Sequence, residues 1–391
     1  MVWELGAGYG HLAPLLSLAQ PLKAQGHTVM FAARDLNGAE AVLGASGIPY
    51  FQAPANFNPR RGNMHSYAEI LAGTAFNETD ELTGRAHAWR GLYALLEPDI
   101  LVADHSPTAL LAARGLPIHC VATGNGFVLP PELSPLPELR SWEPATQEEL
   151  EHHESVALER ANTVLARLSA PGLAHLHELI SSTHRALFTL KELDNYAGLR
   201  RDPEYWGVPP GPGGAPPHWP GGEGKRVFFY GQPFDKLADV LREMAKTGHR
   251  ILVYVPRLAA ETRAALQSEH MRFADTLLDM GVLGRECDCA VMTNGHGTTA
   301  AMLLAGKPIL LLPQHLEMLL IAKAVERNGA GLVATTEKPG IVTEKMTRLL
   351  QDEGFSQKAH VIAESYRGKV GPEQASRNFQ ALITRLAAEA P

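Results

Sequence analysis

The chain has 391 residues, 45% of them hydrophobic and 20% charged, with a formal net charge of −7, which is enough material for two or three domains with full cores. The acidic balance and the lack of any lysine/arginine run argue against nucleic acid and anionic membrane as main partners, and no apolar run approaches the roughly 20 residues that span a bilayer. Three cysteines are too few for a disulfide framework, and the opening has no basic, apolar leader, so a cytoplasmic location is expected.

The first segment, "MVWEL" (1–5), predicts a short apolar strand, and it runs into "GAGYGHLAP" (6–14). A glycine-spaced loop after an opening strand usually cradles a nucleotide phosphate. Here His11 stands where a dinucleotide fingerprint has its third glycine, so the loop is either a degraded cofactor cradle or a display for that imidazole. Apolar residues at helical spacing follow as far as Gly26. Next come a strand at "TVMFAA" (28–33), a helix at "LNGAEAVLGASG" (36–47) and a strand at "IPYFQ" (48–52). Residues 53–98 read as less regular. "DILVAD" (99–104) and "PIHCVAT" (117–123) predict two more strands around a short helix. "TQEELEHHESVALERANTVLARL" (146–168) predicts a long amphipathic helix with a Thr146/Glu149 capping box. Such alternation implies a parallel sheet with helices on both faces.

Residues 200–224, "RRDPEYWGVPPGPGGAPPHWPGGEG", are too rich in proline and glycine for helix or strand and predict an interdomain linker. Alternation then restarts. Strands are expected at "KRVFFYG" (225–231), "HRILVYVP" (249–256), "CAVMT" (289–293), "PILLLP" (308–313) and "GLVAT" (331–335), with helices between them. The fold class is therefore α/β, with two parallel-sheet domains facing a central cleft, where small ligands usually bind.

The segment 287–331 is the most informative. A strand runs into "TNGHGTT", which opens a helix whose first N–H groups have no acceptor inside the helix and carry partial positive charge. Gly295 and Gly297 let an anion approach the main chain, and Thr298 and Thr299 add hydroxyl donors, together describing a phosphate or diphosphate site. His296 at that positive end is expected to be neutral. The plainer alternative is a tight strand–helix turn with a packed histidine. Glu317 follows the next strand, and neighbouring strand ends in a parallel sheet border one crevice. A diphosphate cradle beside a carboxylate suits a nucleotide sugar, although an acid near a helix start is also favoured for itself. The pair Cys287/Cys289 lacks a second ligand pair and reads as buried strand.

These residues resemble the donor-binding signature of GT-B fold, UDP-glycosyltransferase-like enzymes of the bacterial natural-product type. The spacing is kept through Gly297, Thr298, Thr299, Gly306, Pro308, Pro313 and Glu317, and "GHLAPLLSLAQPLKAQGHTVMFA" resembles the family's Gly-His-x-x-Pro opening at Gly10, His11 and Pro14. The resemblance implies two Rossmann-like domains: an acceptor domain (1–199), a linker (200–224), a nucleotide-sugar domain (225–370) and a final helix (371–391) crossing back. It implies inverting, metal-independent sugar transfer from a UDP- or dTDP-linked donor, with no other cofactor, to a small, partly apolar acceptor. By position His11 is the general base and Asp104, at the end of "DILVAD", orients it. A carboxylate on one ring nitrogen fixes the tautomer and stabilises the imidazolium. Asp104 also has a plainer use, as a cap for the following helix. Donor contacts fall to Gly231, Thr293, Asn294, Gly295, His296, Gly297, Thr298, Thr299 and Glu317. Acceptor contacts fall to Gly8, Gly10, His65 and Phe127, with Phe57, Tyr67, Phe76, Trp89 and Trp142 in the same stretches but more often core than contact.

Two positions depart from the pattern: Thr293 stands at the family's diphosphate-binding histidine and Met318 at the glutamine after the acid. They keep open a degenerate, non-catalytic auxiliary subunit that binds a nucleotide sugar or apolar ligand, alongside a nucleotide-sugar epimerase on the same fold. A dinucleotide-dependent oxidoreductase, with Arg34 on a 2′-phosphate, leaves the second glycine patch unexplained. A homodimer is compatible with all of these.

Overall fold

The structure, a computed structural model, describes residues 1–6, 10–56, 64–211, 213–293 and 295–389. It contains two compact units. One comprises residues 1–189 and 195–209 together with the chain from Glu373 onward; the other comprises 190–194 and 210–372. The change from one unit to the other at 209/210 falls inside the proline- and glycine-rich segment, which forms no helix or strand among its described residues. Residues 190–194, assigned by sequence to the first domain, belong structurally to the second unit.

The first unit runs β1 (Val2–Trp3), α1 (Leu12–Ala24), β2 (Phe31–Ala33), α2 (Leu36–Leu43), β3 (Tyr50–Gln52), α3 (Tyr67–Gly73), α4 (Thr79–Leu96), β4 (Ile100–Asp104), α5 (Pro107–Ala113), β5 (His119–Gly124), α6 (Gln147–Arg167), α7 (Glu178–Ser181) and β6 (His184–Leu187). All neighbouring strands pair in parallel, in the order β3-β2-β1-β4-β5-β6. Helix α1 forms because Leu12, Leu15, Leu18, Ala19 and Leu22 make one buried stripe. It stops where Gly26 takes φ 93. The capping box of α6 is present, with Thr146 Oγ1 accepting from the Glu149 N–H and the Glu149 carboxylate accepting from the Thr146 N–H. Strand β2 is shorter than the six-residue apolar segment that predicts it and pairs with β3 over all three of its residues.

The stretch expected to be irregular, 53–98, is mostly helical. Leu82, Ala86, Trp89 and Tyr93 are the buried stripe of α4. Their 4-3-4 spacing is helical, but Gly84, Gly91 and the charged faces weaken the signal in the sequence.

The second unit runs β7 (Arg226–Tyr230), α8 (Leu237–Ala245), β8 (Arg250–Tyr254), α9 (Ala260–Leu266), β9 (Met271–Phe273), α10 (Met280–Glu286), β10 (Cys289–Met292), α11 (His296–Leu304), β11 (Ile309–Leu311), α12 (Leu316–Arg327), β12 (Gly331–Val333), α13 (Pro339–Gln351) and α14 (Glu353–Tyr366). Its sheet is also parallel, in the order β12-β11-β10-β7-β8-β9. The last helix, α15 (Pro372–Ala388), buries Phe379, Leu382, Ile383 and Leu386 in the core of the first unit, with Trp3, Leu15 and Trp206.

Both sheets share one topology: the first strand lies beside the fourth, and the order reverses there. In open parallel sheets this reversal opens a crevice beyond the strands' carboxyl ends. In the first unit it lies between β1 and β4, and in the second between β7 and β10.

Candidate active site

The crevice of the first unit holds the two residues that the sequence pairs. Asp104 is the last residue of β4, in register with Trp3 of β1. His11 precedes α1 on the far side of the glycine loop. His11 Nδ1 lies 3.3 Å from Asp104 Oδ1, with both side chains largely covered. The Trp3 indole stacks on the imidazole with centroids 5.4 Å apart and planes 17° apart, and its Nε1–H donates to the Leu5 carbonyl at 2.6 Å. Nε2, the other ring nitrogen, lies over Gly6. Gly6 has φ 88, and a β-carbon there would overlap Nε2 and stand 3.3 Å from Cδ2 and Cε1. Gly6 is thus the glycine that leaves room for the Nε2 tip of the imidazole to abut the backbone.

The neighbouring residue His105 was not singled out by sequence reasoning. It takes φ 45, and its ring sits 6.0 Å from His11, 5.9 Å from Tyr67 and 6.2 Å from Phe127, which meets it edge-on. Burial pushes its imidazole well below the usual range, with His11 and Arg34 adding to the effect. His105 is therefore a neutral neighbour of the pair. Gly124, the last residue of β5, leaves room beside Asp104: a β-carbon there would approach Oδ1 to 3.4 Å and overlap Val128.

Of the acceptor candidates, Phe127 joins this ring cluster, whereas His65 lies at the start of α3, its N–H donating to Glu69 Oε2 at 2.6 Å. Gly10 has open space beside it among the described residues. Gly8 and Phe57 lie outside the described residues. Tyr67, Phe76 and Trp89 are buried in the core, and Trp142 is at the surface. Arg34 Nη1 donates to the Glu4 carbonyl at 3.0 Å.

In the second unit the exits of β7 and β10 meet in the same way. Gly231 is buried against Thr293, where a β-carbon would overlap Oγ1, and Thr293 Oγ1 accepts the Gln232 N–H at 2.9 Å. Thr293, fully buried, thus ties the two loops together beneath the turn. Gly295 caps α11 with φ 103, a conformation that favours glycine. Thr299 is also buried, and its hydroxyl donates back to the Gly295 carbonyl at 2.9 Å. Gly297 is exposed, and His296 and Thr298 are half-buried, so these three form the accessible first turn of α11. Asn294 lies outside the described residues.

Part of His296 is open to solvent, but enough atoms surround its imidazole that burial pushes it down to about 4, partly opposed by the charges of Glu317 and Asp194. Burial thus favours the neutral imidazole. Glu317, in the first turn of α12, is half-buried and near enough to act on His296, whereas Met318 beside it is turned into the core. Asp194 was missed because it lies in the segment 190–194, which docks on the second unit through Asn328 Nδ2 donating to the Glu192 carbonyl at 3.0 Å and the Tyr366 hydroxyl donating to Glu192. Cys287 and Cys289 are packed, and burial pushes their thiols up, Cys287 to about 12. No helix among the described residues is long and apolar enough to cross a membrane.

Two doubly wound parallel sheets of one topology, each with a glycine-thinned loop at its reversal point, define the GT-B fold. Within it, residues 238–382 match the family described as Erythromycin biosynthesis protein CIII-like, C-terminal domain. Among solved structures, the chain is similar to the glycosyltransferase SsfS6 of Streptomyces sp. SF2575 (19% identity, TM-score 0.64, covering 97% of this chain and 99% of that one). It is also similar to the spinosyn rhamnosyltransferase SpnG (18%, 0.67, 97% and 98%) and to the glycosyltransferase VinC (17%, 0.65, 99% and 99%). No curated protein sequence matches it.

Proposed function

We propose that the protein is a glycosyltransferase that moves a sugar, with inversion, from a UDP- or dTDP-linked donor to a hydroxyl of a small, partly apolar acceptor. The observation that carries this reading is the His11–Asp104 pair at the reversal point of the first sheet, with Nε2 on the side away from the carboxylate. The acceptor oxygen bonds to the anomeric carbon and its proton passes to Nε2. The carbon–oxygen bond to the diphosphate breaks on the opposite face, and the electron pair leaves with the diphosphate. Asp104 holds Nδ1 protonated and stabilises the imidazolium, a role of the kind that contributes about 10²–10⁴ in rate. The leaving diphosphate gains negative charge, which the first-turn amides of α11 and the neutral His296 are suited to meet.

Two relatives support the ligand classes: VinC was solved with dTDP and SpnG with a spinosyn aglycone. Because Thr293 and Thr299 are committed inward, donor recognition falls on Gly297, Thr298, His296 and Glu317. The test is a screen of UDP- and dTDP-sugars against purified protein with phenolic and macrolide acceptors, followed by NMR of the new glycosidic bond. An α-linked donor is expected to give a β-linked product. A product that keeps the donor's configuration would overturn the inverting mechanism.

A further inference from the structure

Glu4, in the opening loop, is fully buried. Its Oε2 accepts the N–H groups of Thr108 at 2.9 Å and Ala109 at 3.3 Å, more than 100 residues away in the first turn of α5. Ser106, the residue placed to cap that turn, makes no side-chain cap; its hydroxyl donates to the Asp104 carbonyl instead, at 2.9 Å. The next residue along, Leu5, donates its N–H to the His105 carbonyl at 3.0 Å. Four consecutive residues of the β1 exit therefore serve the dyad: Trp3 stacks on His11, Gly6 abuts its Nε2 tip, and Glu4 and Leu5 hold the turn that follows Asp104.

We infer that Glu4 is a positioning residue whose buried carboxylate clasps the start of α5 and so holds Asp104 in register with His11; this rests on the proposed His11–Asp104 pair. The choice of an acid here is costly. Burial pushes its carboxyl up to about 7 against the hydrogen bonds from Thr108 and Ala109 and the charge of Arg85. Its other ionisable neighbours are Tyr67 on α3 and Tyr93 on α4, and Arg34 reaches its backbone carbonyl. Without an acceptor, the two α5 amides would be buried unsatisfied and the turn free to shift.

The test is the tautomer of His11, read from nitrogen–proton correlation spectra of histidine-labelled protein, its signals being those that vanish in His11→Gln. Wild type and Glu4→Gln, whose amide oxygen still accepts both N–H groups, are expected to keep Nδ1 protonated and Nε2 bare. Glu4→Ala is expected to populate both tautomers, as is Glu4→Asp, whose carboxylate falls short and which serves if the alanine variant does not fold. In hydrolysis of UDP-glucose or dTDP-glucose, Glu4→Ala should lose roughly 10–100-fold in kcat with the donor KM unchanged, and Glu4→Gln should recover most of it. An unchanged tautomer in folded Glu4→Ala or Glu4→Asp would overturn the inference. Absence of donor turnover by wild type would count against the transferase reading alone, because the tautomer is read without it.

Discussion

Replacing Gly6 by alanine is a sharp perturbation of the site because only one contact decides it. The added β-carbon would overlap His11 Nε2 and come within 3.3 Å of Cδ2 and Cε1. The Leu5 amide next to Gly6 is bonded to the His105 carbonyl, and relieving the overlap by movement of the imidazole alone takes a withdrawal of about 1 Å. A displacement of that size at a reacting group costs about 10²-fold, and the ceiling is the whole contribution of the base, about 10²–10⁴. Forcing alanine to φ 88 adds about 1–2 kcal/mol of backbone strain. The assay is donor hydrolysis and acceptor turnover in Gly6→Ala, His11→Ala and the double variant, with donor affinity measured by calorimetry. If Gly6 acts through His11, Gly6→Ala loses about 10²-fold in kcat at unchanged donor affinity, and the double variant is no slower than His11→Ala. Wild-type kcat in Gly6→Ala, or losses that multiply in the double variant, would refute the reasoning.

Further outcomes follow from the same geometry. Because the Glu4 carboxyl is raised from 4.5 to about 7 in the fold, its stabilising contribution is complete below pH 4.5 and is lost as pH rises through 7. Glu4→Gln should therefore melt above wild type at pH 8, by an amount that corresponds to at most about 3 kcal/mol, and the gap should close toward pH 5 in calorimetric scans. A gap that widens toward acid would reverse the assignment. His296, already neutral with its imidazole pushed down to about 4, predicts UDP or dTDP affinity free of a histidine titration between pH 5.5 and 8; a binding step near pH 6.5 abolished by His296→Gln would contradict it. Thr293→Val deletes the acceptor of the Gln232 N–H in a fully buried place. It should cost about 1–3 kcal/mol in denaturant melts and weaken nucleotide binding; unchanged stability would mean that the tie carries no load.

Much of this architecture is legible in the chain because local chemistry and fold agree. The alternating apolar segments, the glycine that ends α1, the Thr146/Glu149 box and the proline/glycine segment each have a single physical reading. The pairing of His11 with Asp104 comes from the family resemblance, and their places after parallel strand ends agree with it. What the sequence hides is side-chain direction within the turns. Thr293, Thr298 and Thr299 look alike as hydroxyl donors, yet the φ of Gly295 and the start of α11 turn Thr293 and Thr299 inward and leave only Thr298 accessible. Of the described opening glycines, Gly6 differs from Gly10 in having the His11 Nε2 tip against it, which no spacing reveals. Glu4 reads as one more residue of a short strand, because its partners Thr108 and Ala109 are more than 100 positions away. Asp194 was out of reach for a similar reason, since residues 190–194 pack with the unit that follows the linker rather than the one that precedes it.

The general-base role of His11 is tested most directly by His11→Ala, assayed for sugar transfer or donor hydrolysis alongside calorimetric titration with the donor nucleotide. Turnover should fall by about 10²–10⁴ while nucleotide affinity, which the proposed mechanism assigns to the first turn of α11, stays at the wild-type value. Turnover at the wild-type rate in that variant would contradict the mechanism outright.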